Sequence, residues 1–478
     1  HTSSYRMKSM LMHSFVLDAL DTTGADTFSH FEMLIDEHIA LSSSEDTTPS
    51  RLKQLVPTVG LFHTRLPLRK AFEAYNLKHY LTKRKHITIS FNEIRHILNL
   101  AQVMALAGIE ASQSHASMMK FVTMSSDGDD SGVGDDESPC KTPDQDFVGP
   151  KLITFDGDQT LYSDGANFES NRQLAHFMYL LLKHGVTVAV VTAAGYEYQT
   201  EKYEHRLSGL LTYFSEKGLS EEHLQRFYLF GGECNYLLRL GSDYRLHAVP
   251  ETGPGGWMTS TMYLQESPGN WSEAHVTQLL DVAERSLSST QSELHMRSRI
   301  IRKRRAVGLI PISMDSLLPR EVLDETVLVV QSELSKVAIE LPFCAFNGGR
   351  DVWVDVGNKR VGVQILQSYT GISTTDTLHI GDQFLNTGND YAARDVCPCI
   401  WITSPIETTY ILKSILRLAN ISLMEDMSRG DRSPSFDVMD GKTSTPAAGI
   451  NFSECERRTK VVKKMDVFTG ELIEHPAS

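Results

Sequence analysis

Six side chains have the types and the order that phosphoryl chemistry needs. Asp156 and Asp158 stand two residues apart in Asp156-Gly157-Asp158-Gln159-Thr160, directly after the apolar run Leu152 to Phe155. That run has the length and composition of a buried strand, so both acids leave its carboxyl end. Acids there add nothing to a core, whereas ligands of open α/β sheets bind in the crevice outside the strands' carboxyl ends. Thr192 follows the β-branched run Val186 to Val191, and Lys359 follows the Gly357-Asn358 turn. Asp382 ends a third run, Leu378-His379-Ile380-Gly381-Asp382, with Asp390 eight residues on. A lone D-x-D reads as a solvated turn between strands; the other pieces give it chemistry. Carboxylates at strand ends are hard oxygen ligands suited to Mg²⁺. Thr192 offers a hydroxyl and backbone amides to a phosphoryl oxygen, and Lys359 offers a fixed positive charge. Phosphoryl transfer needs a nucleophile, a proton carrier and cations around the equatorial oxygens. No Ser-His-Asp set or His-rich zinc motif competes.

The elements that must position these residues fall into several units. A chain of 478 residues exceeds a single core and implies two or three domains. The 22% charged and 41% hydrophobic content is that of an ordinary globular protein. A net charge of −14 argues against non-specific nucleic-acid binding, and no apolar run reaches the length that spans a bilayer. The apolar stretch Met10 to Leu20 is broken by His13 and Asp18, so no secretory pattern opens the sequence. The first residue is His1 rather than Met, as in a trimmed chain. Cys140, Cys234, Cys344, Cys397, Cys399 and Cys455 are scattered, which suits reduced thiols in a cytoplasmic protein. Sequons at Asn270, Asn420 and Asn451 occur about as often as chance gives.

Residues 1–117 read as a helical amino-terminal domain, with apolar spacing of three and four over Phe28 to Ile39 and Ile94 to Leu106. Between them lies the basic segment Lys78 to His86, beside Tyr75 and Tyr80 and with no matching acidic partner expected nearby in sequence. It reads either as a solvated helix face or as a polyphosphate site built on Lys83, Arg84 and Lys85. Residues 118–148 are an acidic Ser/Asp/Gly-rich linker. Asn171 to His184 and Val186 to Val191 complete a βαβ unit. The core is therefore expected over 149–195 and 346–425, resuming near Val352, with residues 196–345 inserted as a cap. The basic run Arg297 to Arg305 reads as a helix surface on that cap. Cys399 to Ile402 gives a last short strand, and a helix over Thr409 to Leu423 closes the core. Residues 426–460 are polar and flexible in composition, and 461–478 form a tail with enough apolar character to dock back. Gly441-Lys442-Thr443 imitates a P-loop end, but Phe436 stands where its first glycine belongs. Gly348-Gly349 and Gly231-Gly232 form no G-x-G-x-x-G either.

In the order Asp156-x-Asp158-x-Thr160, Thr192, Lys359, Asp382, Asp390, the chain resembles the haloacid dehalogenase-like phosphohydrolases. The strings LITFDGDQTLYSDG, VAVVTAAGYE, FNGGRDVWVDVGNKRVGV and LHIGDQFLNTGNDYAARD are more specifically similar to the IMP-specific 5′-nucleotidases of eukaryotic microbes. So are residues 62–102 and FTGELIEHPAS at the end. The resemblance implies an α/β Rossmann-like core with a parallel sheet, an inserted α+β cap and a helical amino-terminal domain. It implies Asp156 as nucleophile, Asp158 as general acid and base, and Thr192 and Lys359 on phosphoryl oxygens. Mg²⁺ would be held by Asp156, Asp382, the backbone carbonyl of Asp158, and Asp390 directly or one shell out. Asp164 is the candidate for the ribose or base, and Asn347, Arg350, Asp351, Trp353 and Asp355 are candidates for the purine; for each of these five, a turn or core strand is the plain alternative. The same resemblance implies IMP as substrate, ATP as an activator and a homotetramer. A broader purine nucleotidase, a sugar phosphatase, a phosphotransferase or a silent nucleotide-sensing scaffold remain as alternatives, the last disfavoured by the intact acid pair.

Overall fold

Apolar spacing of three and four builds the amino-terminal part of this computed structural model as helices α1 (Ala25–Ser42), α2 (Leu68–His79) and α3 (Phe91–Leu106). The structure describes residues 24–44, 48–84, 89–109, 147–163, 165–169, 171–259, 272–313, 317–337 and 341–423. The acidic linker up to 146, the 426–460 segment and the 461–478 tail lie outside them, as do residues 1–23, Asp164 and Lys85. Helix α3 starts on a capping box: Ser90 accepts from the Glu93 amide while the Glu93 side chain accepts from the Ser90 amide. Phe28, Phe72, Ile97 and Met104 form the small core that these helices share.

The central sheet contains β1 (Leu152–Phe155), β2 (Thr187–Val191), β3 (Phe227–Gly231), β4 (Tyr236–Leu240), β5 (Leu246–Ala248), β10 (Thr377–Gly381) and β11 (Cys399–Trp401). Its order is β11-β10-β1-β2-β3-β4-β5, parallel as far as β3 and antiparallel beyond it. Helices α4 (Arg172–Lys183), α5 (Thr200–Arg206), α6 (Ser208–Glu216), α9 (Lys359–Thr370) and α10 (Pro405–Leu418) belong to this unit. The central strand β1 is buried along its whole length, as a strand covered on both faces must be.

A second sheet is built from β6 (Ser298–Arg302), β7 (Ala306–Pro311), β8 (Phe343–Asn347) and β9 (Val352–Val356). It is antiparallel in the order β6-β7-β9-β8 and carries α7 (Glu273–Glu293) and α8 (Arg320–Ser335). This is the inserted cap, and its limits differ from the expected 196–345. Residues 227–248 extend the core sheet, because Phe227 to Gly231 is apolar enough to be buried on both faces beside β2. Conversely β8 and β9 pair with cap strands, so the core resumes at α9 rather than near Val352. The basic run expected as a helix surface is also corrected. Its first half forms strand β6, and Arg302 at the end of that strand is bound by Asp281 and Glu284 of α7.

Helix α3 is fastened to the core by a buried ion pair. Arg95 grips Glu407 of α10 with two hydrogen bonds, 2.7 and 2.8 Å, and is only 3% exposed. His96 and the Thr403 amide add bonds of 3.2 and 2.9 Å to the same carboxylate. Burial works to raise the Glu407 pKa, but Arg95 and His96 outweigh it and hold the group well below its usual 4.5. A depressed carboxylate contributes stability that is complete above the unfolded value and lost as pH falls through the folded one. Glu407→Gln should therefore cost roughly 3 kcal/mol at neutral pH, with the gap to the parent narrowing as denaturation is followed below pH 4.5. A gap that stays constant into acid would show that the ion pair is not what fastens α3.

Candidate active site

The strands of the central sheet deliver acids from two loops to one end. Asp156 follows β1, Asp382 follows β10, and Asp390 closes the loop that Asp382 opens. One ligand atom from each lies within 4.8 Å of the others, and all three residues are buried. Lys359 is the first residue of α9, whose amino end is capped by the Asn358 side chain on the Val361 amide. Its ammonium, with no exposed surface, donates to Asp156 Oδ1 at 2.5 Å and to Asp390 Oδ1 at 2.6 Å. Asp390 also accepts from His379 Nε2 at 2.8 Å and from the Gln383 amide at 2.9 Å. His379 in turn meets the Thr154 hydroxyl through Nδ1 at 2.8 Å, so β1 and β10 are tied behind the acids. Two glycines make the approach feasible. A Cβ on Gly381 would collide with the Asp390 carboxyl, and one on Gly157 would meet Tyr162 Oη at 2.7 Å and Thr192 Oγ1 at 3.2 Å.

Charge is unbalanced in this cavity. Among the described residues, Asp156, Asp382, Asp390 and the fully buried Glu233 surround a single ammonium, that of Lys359. Burial lowers the Lys359 pKa, but Asp156, Asp390 and Glu233 more than reverse this and keep it charged. Burial also works to raise Asp390, yet Lys359 and His379 hold that carboxyl below the usual range. Burial wins elsewhere, pushing Asp156 up to about 7 and Asp382 well above its ordinary value, with the neighbouring acids adding to it. Both Asp382 carboxylate oxygens are buried without a hydrogen-bond partner among the described residues. Buried carboxylates without donors are costly unless they take a proton or a cation. The donor set is three carboxylates, one with both oxygens orphaned, and it includes no nitrogen or sulfur ligand. Such a set fits a hard divalent ion such as Mg²⁺.

Asp158 stands apart from this triad. Arg206, at the end of α5, binds its carboxylate with bonds of 2.8 and 3.0 Å, and the Gly165 amide adds one at 3.1 Å. Thr192 is buried just beyond β2 with its hydroxyl accepting from the Ala194 amide at 3.1 Å. The cap candidates are divided by the alternation of β9. Val352, Val354 and Val356 enter the cap core, which puts Trp353 and Asp355 on its opposite face. Asp355 is buried there, its Oδ1 without a partner among the described residues and its pKa raised by burial and by Glu233. Lys303 lies 4.3 Å over the Trp353 ring. Asn347 ends β8, donating to Asp324 at 3.0 Å and, through its amide, to Thr387 of the core loop at 2.9 Å. With Arg320, Asp382, Gln383, Leu385, Thr387, Gly388 and Trp401 it lines a cleft between cap and core. Arg350 and Asp351 sit in the β8–β9 turn, and Asp164 lies outside the described residues.

In the described part of the basic segment, Lys83 and Arg84 make contacts within the helical amino-terminal part. Lys83 stacks its ammonium 4.5 Å over Tyr80, and Arg84 pairs with Glu93 at 2.6 Å. The absence of an acidic partner expected for this segment is thus corrected: the helix start nine residues on supplies one. Sequence reasoning also passed over Arg206, Glu233 and His379. Glu233 follows Gly231-Gly232, holds φ +50°, and accepts from Asn389 at 2.9 Å while its second oxygen has no partner among the described residues. A non-glycine residue in the left-handed region beside a Gly-Gly pair is strained backbone of the kind found at sites, but φ is invisible in sequence.

A sequence model described as IMP-specific 5′-nucleotidase matches residues 13–412. The chain is 38% identical over 411 residues to IMP-specific 5′-nucleotidase 1 of Neurospora crassa, covering 82% of this chain and 84% of that protein. It is 36% identical over 397 residues to IMP-specific 5′-nucleotidase 1 of Plasmodium falciparum, with 81% and 76% covered. Among solved structures, an IMP-bound mutant of the Plasmodium falciparum IMP-nucleotidase superposes with a TM-score of 0.68 at 33% identity, covering 86% of this chain and 92% of that one. An ATP-bound form of the Plasmodium falciparum IMP-nucleotidase gives a TM-score of 0.64 at 34% identity, with 86% and 83% covered.

The orphaned oxygens of Asp382 yield a test that needs no substrate. Asp382→Asn should stabilise the metal-free protein by on the order of 1–3 kcal/mol, since the cost of burying or protonating a carboxyl without donors is removed. The same variant should lose the rise in melting temperature that Mg²⁺ gives the parent. Calorimetry in chelator and in Mg²⁺ checks both, and a variant less stable than the parent in chelator would contradict the charge imbalance.

Proposed function

The chain belongs to the IMP-specific 5′-nucleotidase family and is a phosphoric monoester hydrolase, and from this premise we propose that it cleaves IMP to inosine and phosphate through an aspartyl-phosphate on Asp156. The observation that carries the reading is Asp156 itself, aimed from the end of β1 by Lys359 and set beside Asp382, whose oxygens lack partners among the described residues. Mg²⁺ held by Asp156, Asp382, Asp390 and the backbone carbonyl of Asp158 would neutralise phosphoryl oxygens and offset the surplus of acids.

The residues of the chain then divide the work. Lys359 favours the ionised form of Asp156 and presents positive charge to the phosphoryl group. An Asp156 carboxylate oxygen attacks phosphorus while the bond from phosphorus to the 5′-oxygen breaks, and Asp158 gives that oxygen its proton. Asp158 next takes a proton from water as the water oxygen attacks phosphorus; the bond to Asp156 breaks and phosphate leaves. Acting so requires Asp158 to exchange its Arg206 contacts for the leaving oxygen. Thr192 sits on the adjacent loop, where its hydroxyl and amides can hold a phosphoryl oxygen. On the cap side, Asn347, Arg350, Asp351, Trp353 and Asp355 are proposed to read the purine nucleoside together with Asp164. The Asp355 oxygen, buried and without a partner among the described residues, is the strongest of these, being a polar atom in need of a hydrogen-bond partner.

Regulation by ATP through Lys83, Arg84 and Lys85, in a homotetramer, completes the proposal; the ATP-bound relative supports the ligand. No helix among the described residues is long and apolar enough to cross a membrane, and a cytoplasmic setting remains part of the proposal.

Phosphate release from a panel of nucleoside monophosphates and a sugar phosphate, with and without Mg²⁺, tests the reading directly. IMP should exceed AMP in kcat/KM by well over tenfold, because one mismatched buried hydrogen bond costs roughly 1–3 kcal/mol. Asp156→Asn should lose several orders of magnitude in kcat while folding as the parent does; retention within about tenfold, or ~1.4 kcal/mol, would remove the covalent route. Equal turnover across the panel would leave a general phosphatase.

Effector control has its own measurement. Neutralising Lys83, Arg84 and Lys85 together should abolish the response of IMP saturation curves to a non-hydrolysable ATP analogue, a coupling of typically ~1–3 kcal/mol. Glu93→Gln, which removes the partner of Arg84 but keeps its charge, should preserve the response. A triple variant that responds like the parent would place the effector elsewhere.

A further inference from the structure

We propose that Trp401 and Asn99 are positioning residues for the metal carboxylate Asp382, so that the helical amino-terminal part sets the affinity of the site for its divalent ion. The inference rests on the reading of Asp382 as a metal ligand and adds residues that reading does not use. Asp382 has no hydrogen bond on either carboxylate oxygen among the described residues, so its aim depends on where its backbone is held. One clamp on that backbone comes from the indole of Trp401, whose Nε1–H donates to the Asp382 carbonyl at 2.8 Å. Strand pairing sets Trp401 opposite Gly381, the residue before Asp382, and the Ile402 amide donates to the Gly381 carbonyl at 2.9 Å.

Trp401 is itself held from outside the core. Asn99 of α3 makes both halves of a backbone clasp: Nδ2 donates to the Trp401 carbonyl at 2.6 Å, and Oδ1 accepts from the Trp401 amide at 3.2 Å. Arg95 Nη1 adds a second donor to the same carbonyl at 2.8 Å, while its guanidinium binds Glu407. Phe91 packs edge-on against the indole, ring centroids 5.9 Å apart. Phe91, Arg95 and Asn99 recur at four-residue spacing, so they share one face of α3, and all three meet the same residue of the core. β11 is only three residues long and lies at the edge of the sheet, with one neighbouring strand. The edge that a further strand would otherwise cover is held by a helix of another unit. Groups that orient a metal ligand without touching the metal are worth roughly ten- to a hundredfold in metal affinity.

The experiment titrates the full-length protein with Mg²⁺ alone, by calorimetry and by the rise in melting temperature, with no substrate present. Trp401→Phe keeps a ring against Phe91 but removes the donor; Mg²⁺ affinity should fall roughly tenfold. Asn99→Ala, whose side chain touches none of the acids, should weaken Mg²⁺ binding in the same direction, and the double variant should lose less than the product of the two. In Asn99→Ala, at a residue that is not part of the cleft lining, KM for IMP at saturating Mg²⁺ should move less than twofold. Parental Mg²⁺ affinity in either folded variant, or losses that multiply independently, overturns the proposal, and either variant alone decides if the other does not fold. A parent that binds no Mg²⁺ would instead defeat the metal reading on which the proposal rests.

Discussion

The contact on which the rest of this molecule depends is the buried ammonium of Lys359 between Asp156 and Asp390. A lysine with no exposed surface is stable only when its charge is met, and here two carboxylates meet it from different loops. That requirement explains the placement of α9, which begins at the lysine itself and leaves no flexible stem between helix and site. It explains Gly381, where any side chain would displace Asp390. It also explains His379, a neutral ring in the sheet interior whose two nitrogens join Thr154 to Asp390 and so hold the second carboxylate in register with the first. Once Lys359 is committed to Asp156 and Asp390, its ammonium does not reach Asp382, and the shortage of positive charge falls on the acid whose oxygens have no donors among the described residues.

Much of this was readable in the chain because the core strands are short, apolar and buried on both faces. Leu152 to Phe155 and Leu378 to Gly381 stand out by composition, and each ends in its acid at the point where the strand ends. Partner choice was not readable. Val352-Trp353-Val354-Asp355-Val356 alternates as any half-buried strand does, and only pairing with β7 and β8 shows that it belongs to the cap. The same is true in reverse of Phe227 to Gly231, whose unbroken apolar run fits a central sheet better than a small lid. Arg206 reaches Asp158 across 48 residues of sequence and Glu233 reaches Asn389 across 156, so neither contact has a local signature.

The corrected boundary changes how cap and chemistry are related. β9 carries Trp353 and Asp355 on the face away from the cap core, and only Gly357 and Asn358 separate it from Lys359. That junction is pinned from the core by Asn235, whose Nδ2 donates to the Val356 carbonyl at 2.6 Å, while the Gly357 amide donates to the Pro342 carbonyl just before β8 at 2.7 Å. Asn347 at the other end of the hairpin reaches the Thr387 carbonyl in the loop that carries Asp382 and Asp390. The hairpin is therefore tied to the core at both ends, next to Lys359 and next to the loop of Asp382 and Asp390. A loosely tethered lid could select a substrate without placing it. On the proposed reading, a hairpin fixed at these two points relates the residues proposed to read the base to those proposed to meet the phosphoryl group through a few bonds, as specificity in the transition state rather than in binding alone requires.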